Sequence, residues 1–183
     1  MLPLTQTGEA QMKFSSTRVL VLLPLLAAAP FAGAQEPTKI LDVEFNHPIL
    51  SEAELGSKFG MRRDSISQTP TWHAGVDLET EFSSPVYAPA DGTITFACTK
   101  PGYGNTIDLK ISDDWVVRFA HLQDINAEPG QILAGGTKLG TAGGIEKASE
   151  PHIHVEMLND GKQYDPTIFS DLQLFAAPPK SEN

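Results

Sequence analysis

From Ser57 onward, no apolar pattern of helical period runs beyond about two turns. Short apolar and β-branched runs alternate instead with turns built from Gly, Asp and Pro. His73 to Leu78 is extended. Pro85 to Pro89 leads into Ala90-Asp91-Gly92, and Thr93 to Cys98 into Pro101-Gly102-Tyr103-Gly104. Thr106 to Ile111 ends at Ser112-Asp113-Asp114, and Trp115 to Leu122 follows. Residues 123–151 are Gly-rich loops around one short strand near Gln131 to Leu133. Asn159-Asp160-Gly161 forms a hairpin turn into Gln163-Tyr164. Runs of this length and spacing predict an all-β antiparallel domain with few short helical turns. Ser51 to Leu55 predicts one such turn, with Ser51 as N-cap, Glu54 three residues on and Gly56 as the stop.

Residues 1–34 read as a signal peptide. Lys13 and Arg18 are basic, Val19 to Ala29 is apolar, and Ala32-Gly33-Ala34 is a small-x-small cleavage site. The apolar run is short for a transmembrane helix, and no Cys follows the site, so no membrane anchor is expected. Met12 is an alternative start to Met1. The expected organisation is a signal peptide over 1–34, an N-terminal segment over 35–56, the folded domain over 57–170 and a flexible tail over 171–183. Export to the periplasm is expected, with the extracellular space or cell wall as the alternative.

Excluding residues 1–34 leaves 11 basic and 22 acidic residues, a formal net charge of −11. That argues against nucleic acid and anionic membranes as partners. The single cysteine, Cys98, forbids an intrachain disulfide and a multi-cysteine metal site. Its apolar run predicts a small core residue.

Pro151-His152-Ile153-His154-Val155-Glu156-Met157 alternates polar and apolar residues. In a strand, His152, His154 and Glu156 share one face and Ile153, Val155 and Met157 the other. In Trp72-His73-Ala74-Gly75-Val76-Asp77, an extended chain puts His73 and Asp77 on one face, with Gly75 leaving room for an ion between them. His121 falls at the end of a predicted strand, and His47 in a surface loop. His73, Asp77 and one of His152 and His154 would make a three-ligand site of two nitrogens and one oxygen. A fourth position then remains for water, as in catalytic zinc. The other histidine of the pair and His121 would move protons or stabilise an oxyanion.

At these residues the chain resembles the M23 peptidases, the lysostaphin-like or LytM-type zinc endopeptidases of bacterial cell walls. The resemblance runs from about Ser57 to Phe169. It is carried by Lys58-Phe59-Gly60-Met61-Arg62, His73-Ala74-Gly75-Val76-Asp77 and Pro85-Val86-Tyr87-Ala88-Pro89-Ala90-Asp91-Gly92. Gly102-Tyr103-Gly104-Asn105, Ala120-His121-Leu122, Pro151 to Glu156 and Tyr164-Asp165-Pro166 complete it. It implies a lysostaphin-like antiparallel sheet lining a groove, with the M23 peptidase domain over 57–170. It implies one Zn²⁺ per domain, held by His73, Asp77 and His154, with His121 and His152 catalytic. The implied substrate is peptide stems or cross-bridges of peptidoglycan, with a protein regulator as a further candidate partner.

Glu150 stands where the family often has Gly, and Phe119 where Tyr is common. No Tyr lies between Phe59 and His73. Arg62 is expected to fix the loop before His73 by pairing with a carboxylate, and Asn105 to bond turn backbone. Two other readings compete with this one. A non-catalytic activator of wall hydrolases would be expected to lack part of the His/Asp set, which is complete here. A biotinyl-type carrier would need a Lys at an exposed hairpin tip, and no suitable turn has one.

Overall fold

The computed structural model describes residues 41–63, 67–143 and 150–177. The targeting segment expected over 1–34 lies outside them. Among the described residues there are fourteen strands. They are β1 (Leu50–Glu52), β2 (Glu54–Leu55), β3 (Gly60–Arg63), β4 (Pro70–His73), β5 (Val76–Glu79), β6 (Pro85–Tyr87) and β7 (Gly92–Lys100). There follow β8 (Gly104–Lys110), β9 (Trp115–Ile125), β10 (Ile132–Leu133), β11 (Lys138–Ala142), β12 (His152–Asn159), β13 (Lys162–Tyr164) and β14 (Phe175–Ala177). The helical content among the described residues is one 3-10 turn, Pro166–Ile168, capped by the Asp165 side chain accepting from the Thr167 amide. No helix among the described residues is long and apolar enough to cross a membrane.

The main sheet runs β10-β7-β8-β9-β12-β5-β2, and all of its pairs are antiparallel. Alternation decides which side of each strand is buried. Val76 and Leu78 of β5, Ile107 and Leu109 of β8, Val117 and Phe119 of β9, and Ile153, Val155 and Met157 of β12 are fully buried. Each such side chain contributes about 1.5–3 kcal/mol relative to exposure. The hairpin after β12 turns through Asp160 (φ 47°) and Gly161 (φ 77°), two left-handed residues that suit a tight hairpin twist.

Three expectations are corrected. Ser51 to Leu55 is not helical: Leu50 pairs with Phe175, and Glu54 and Leu55 pair with Glu79 and Leu78. Strand pairing with distant partners outweighs the local capping pattern. The stretch from Asp171 is ordered through Ala177, because Leu172 is buried and β14 runs parallel to β1. Cys98 is exposed rather than in the core. The β7–β8 register slips between Ile94 and Phe96, so Ile94 and Ala97 face the core and Cys98 turns outward. His47 lies in a loop as expected, half-buried, with its ring tilted against Tyr87 at a centroid distance of 4.9 Å.

Candidate active site

Asp77 and His154 are direct cross-strand partners, β5 against β12. Their side chains therefore leave the same face side by side. His73 ends β4, and the chain returns into β5 through Ala74 and Gly75. A Cβ on Gly75 would collide with the Val155 carbonyl oxygen and crowd Glu156 Cγ. The space left by Gly75 is thus filled by the β12 backbone, not by an ion as its spacing suggested.

His73 Nε2, Asp77 Oδ1 and His154 Nδ1 form a near-equilateral triangle. The edges are 3.1 Å (His73–Asp77), 2.9 Å (Asp77–His154) and 3.0 Å (His73–His154). Both histidines are 5% exposed. Their outer nitrogens indicate the tautomers. His73 Nδ1 lies 2.8 Å from the Lys58 carbonyl, which can only accept, so Nδ1 carries a hydrogen. His154 Nε2 lies 3.1 Å from Glu156 Oε1 and donates to that carboxylate. When both rings are neutral, three lone pairs converge on one point and repel unless a cation or proton lies among them. Zinc bonds of about 2.0–2.1 Å in a tetrahedron need ligand spacings of about 3.3 Å, so these three groups fit such an ion.

His121 and His152 lie beside this triangle. Their ring centroids are 5.2 Å apart, and His121 is 5.8 Å from His154. Simple alternation from Val117 and Phe119 would send His121 into the core. An extra residue in β9 opposite β8 breaks that alternation, and His121 adopts a left-handed φ of 59°. Its amide donates to the Tyr103 carbonyl at 2.9 Å, and its carbonyl accepts from the Gly143 amide at 3.1 Å. The bulge turns the imidazole onto the site face and returns Leu122 to the core. His152 Nδ1 donates to the Glu150 carbonyl at 3.1 Å, leaving Nε2 free to accept.

Burial alone would raise the Asp77 pKa, but the His154 and His73 nitrogens beside it, which donate to the carboxylate when their rings are protonated, outweigh burial and hold the carboxyl well below its usual range. Burial would lower His154, yet its bonds to Asp77 and Glu156 raise it. His121 is pushed down to about 4 by burial and by the neighbouring His152 and His154.

Sequence reasoning missed the support behind the triangle. Glu156 is fully buried and accepts from Tyr103 Oη at 2.8 Å and Arg118 Nη1 at 3.1 Å. Arg118 in turn grips Asp108 with bonds of 2.7 and 2.8 Å. Asp108, Arg118 and Glu156 stand opposite one another on β8, β9 and β12. The available signal was a glutamate two residues beyond His154 in an otherwise buried strand.

Arg62 behaves as expected: its Nη1 is 3.4 Å from Asp77 Oδ2 and also bonds Ser57 Oγ. Asn105 donates to the Gln123 carbonyl at 3.0 Å, a backbone bond as expected, though to strand β9 rather than to a turn. Phe119, which stands where Tyr is common in the family, is fully buried in the core. Glu150 adjoins a cleft of about 760 Å³ lined also by Glu52, Glu54, Glu79 and Glu81. Burial and the charges of Glu150 and Glu54 raise the pKa of Glu79.

Residues 71–166 match the model of peptidase family M23. The chain is 33% identical over 122 residues to DD-carboxypeptidase/endopeptidase Mpg of Neisseria meningitidis serogroup B, covering 67% of this chain and 28% of that protein. It therefore spans little more than a quarter of that relative's length. A zinc-containing peptidase from Vibrio cholerae superposes with a TM-score of 0.60 at 27% identity, covering 66% of this chain and 38% of that one. The catalytic domain of lysostaphin from Staphylococcus simulans superposes with a TM-score of 0.57 at 25% identity, covering 64% and 91%. The all-β sheet is thus lysostaphin-like. With the family match spanning just over half of its residues, the chain belongs to peptidase family M23.

Proposed function

We propose that this protein is an exported zinc metalloendopeptidase that hydrolyses peptide cross-links of peptidoglycan. The observation that carries the reading is the convergence of His73 Nε2, Asp77 Oδ1 and His154 Nδ1, with His121 and His152 beside them. In this reading those three atoms hold one Zn²⁺. The bound ion would supply Lewis acidity to the scissile carbonyl and to water. His152 acts as the base, because its Nδ1–H is engaged by the Glu150 carbonyl and its Nε2 is free to take a proton. His121 stays neutral at physiological pH and offers a ring N–H to the developing oxyanion. Arg62 holds Oδ2 of Asp77 and so leaves Oδ1 for the metal.

The family and the peptidoglycan enzymes among its relatives support the substrate class. The acidic charge fits directly cross-linked stems in a periplasm, reached through a signal peptide over residues 1–34. The test is digestion of purified sacculi by the purified protein, with and without chelator, read by mass spectrometry of the muropeptides. Chelator-sensitive loss of cross-linked species is expected, together with loss of metal in His154→Ala. Unchanged muropeptides from the zinc-loaded protein would overturn the peptidase reading and favour a regulator of other wall hydrolases.

A further inference from the structure

A fully buried glutamate is costly unless every oxygen is answered. Glu156 is answered three times, by Tyr103 Oη, His154 Nε2 and Arg118 Nη1. It stands on the face of β12 opposite the core-facing residues Ile153, Val155 and Met157. Its aliphatic part also lies against the turn at Gly75, between His73 and Asp77. Glu156 therefore touches the segment carrying two members of the triangle and bonds the third.

We propose that Glu156 is a positioning residue that selects Nδ1 of His154 as the metal donor, by holding Nε2 as an N–H donor to its own carboxylate. The inference rests on the zinc-ligand reading above. Arg118 and Tyr103 both donate to Glu156, so the carboxylate is presented as an acceptor and not as a competing proton donor. Arg118 is itself immobilised by its two bonds to Asp108. The imidazole of His154 is pinned in orientation and tautomer before metal arrives. An outer carboxylate on a ligating histidine raises its basicity, and its loss lowers metal affinity by about 10–100-fold in comparable sites.

The experiment compares wild type, Glu156→Gln, Tyr103→Phe and His154→Ala. Zinc affinity is measured by competition with a chromophoric chelator, and the His154 tautomer by ¹⁵N NMR of the metal-free protein. Glutamine offers one oxygen where three donors need answering, and turns an NH₂ toward Arg118 or His154. The expected result for Glu156→Gln is a loss of zinc affinity of about 10–100-fold, with the Nε2–H tautomer of His154 no longer dominant. Tyr103→Phe, which keeps the charge and the packing, is expected to show a smaller loss in the same direction. Glu156→Gln binding zinc like wild type, while His154→Ala does not, would overturn this inference alone. His154→Ala binding zinc like wild type would overturn the ligand reading and the inference with it. Should Glu156→Gln fail to fold, unchanged affinity and tautomer in Tyr103→Phe would still overturn the proposal.

Discussion

His154 stands directly across the sheet from Asp77, and its Nδ1 lies 2.9 Å from Asp77 Oδ1. This cross-strand pair joins the two sequence motifs, 77 residues apart, into one site. Asp77→Asn keeps the shape but removes the charge that draws both histidines inward. With Asp77 as one of the proposed zinc ligands, zinc affinity is expected to fall by more than the roughly 10–100-fold lost with an outer partner of a ligand. Arg62→Ala, at a half-exposed guanidinium 3.4 Å from Oδ2, is expected to change stability by no more than about 1 kcal/mol. Chelator competition and thermal unfolding separate the two effects.

The bulge at His121 makes a second outcome measurable. The folded pKa is depressed to about 4, so between pH 4 and 6.5 the unfolded chain binds more protons than the folded one. The metal-free protein should lose stability as pH falls through that window, by about 1–3 kcal/mol, and level off below it. His121→Asn tolerates the left-handed backbone and should abolish this part of the pH dependence. His121→Val should cost a further 1–3 kcal/mol or so in backbone strain. Urea unfolding at a series of pH values reads both.

Arg118 neutralises two carboxylates, Asp108 and the fully buried Glu156. Arg118→Met leaves both charges uncompensated and is expected to destabilise the fold by about 3–5 kcal/mol. Asp108→Asn in the same background should recover part of the loss. Denaturant unfolding of the single and double variants measures the coupling.

Truncation to Ser57 is expected to destabilise the domain rather than open its groove. Ile49 and Leu50 are fully buried, β1 pairs with β14, and β2 edges the main sheet. Losing those two side chains alone removes about 3–6 kcal/mol, a large part of the 5–15 kcal/mol or so that holds a typical domain. A lower melting temperature with no gain in activity is the expected pattern. Higher activity at undiminished stability would show instead that the segment covers the groove.

Period-2 alternation and turn chemistry are local, so the sequence by itself determined the all-β class, the hairpin at Asp160-Gly161 and the shared face of His152, His154 and Glu156. Residue chemistry and spacing likewise singled out His73, Asp77, His121, His152 and His154. Alternation says which face a side chain takes but not which residue stands opposite, nor where an extra residue reverses the count. The tertiary structure decided those. One bulge turned His121 from the core to the site, and another turned Cys98 from the core to solvent. Long-range pairing made strands of Leu50–Glu52 and Phe175–Ala177, more than a hundred residues apart. Register across β8, β9 and β12 aligned Asp108, Arg118 and Glu156 into the row that supports His154. Such pairings are set by cooperative burial of the whole sheet, which no single segment encodes.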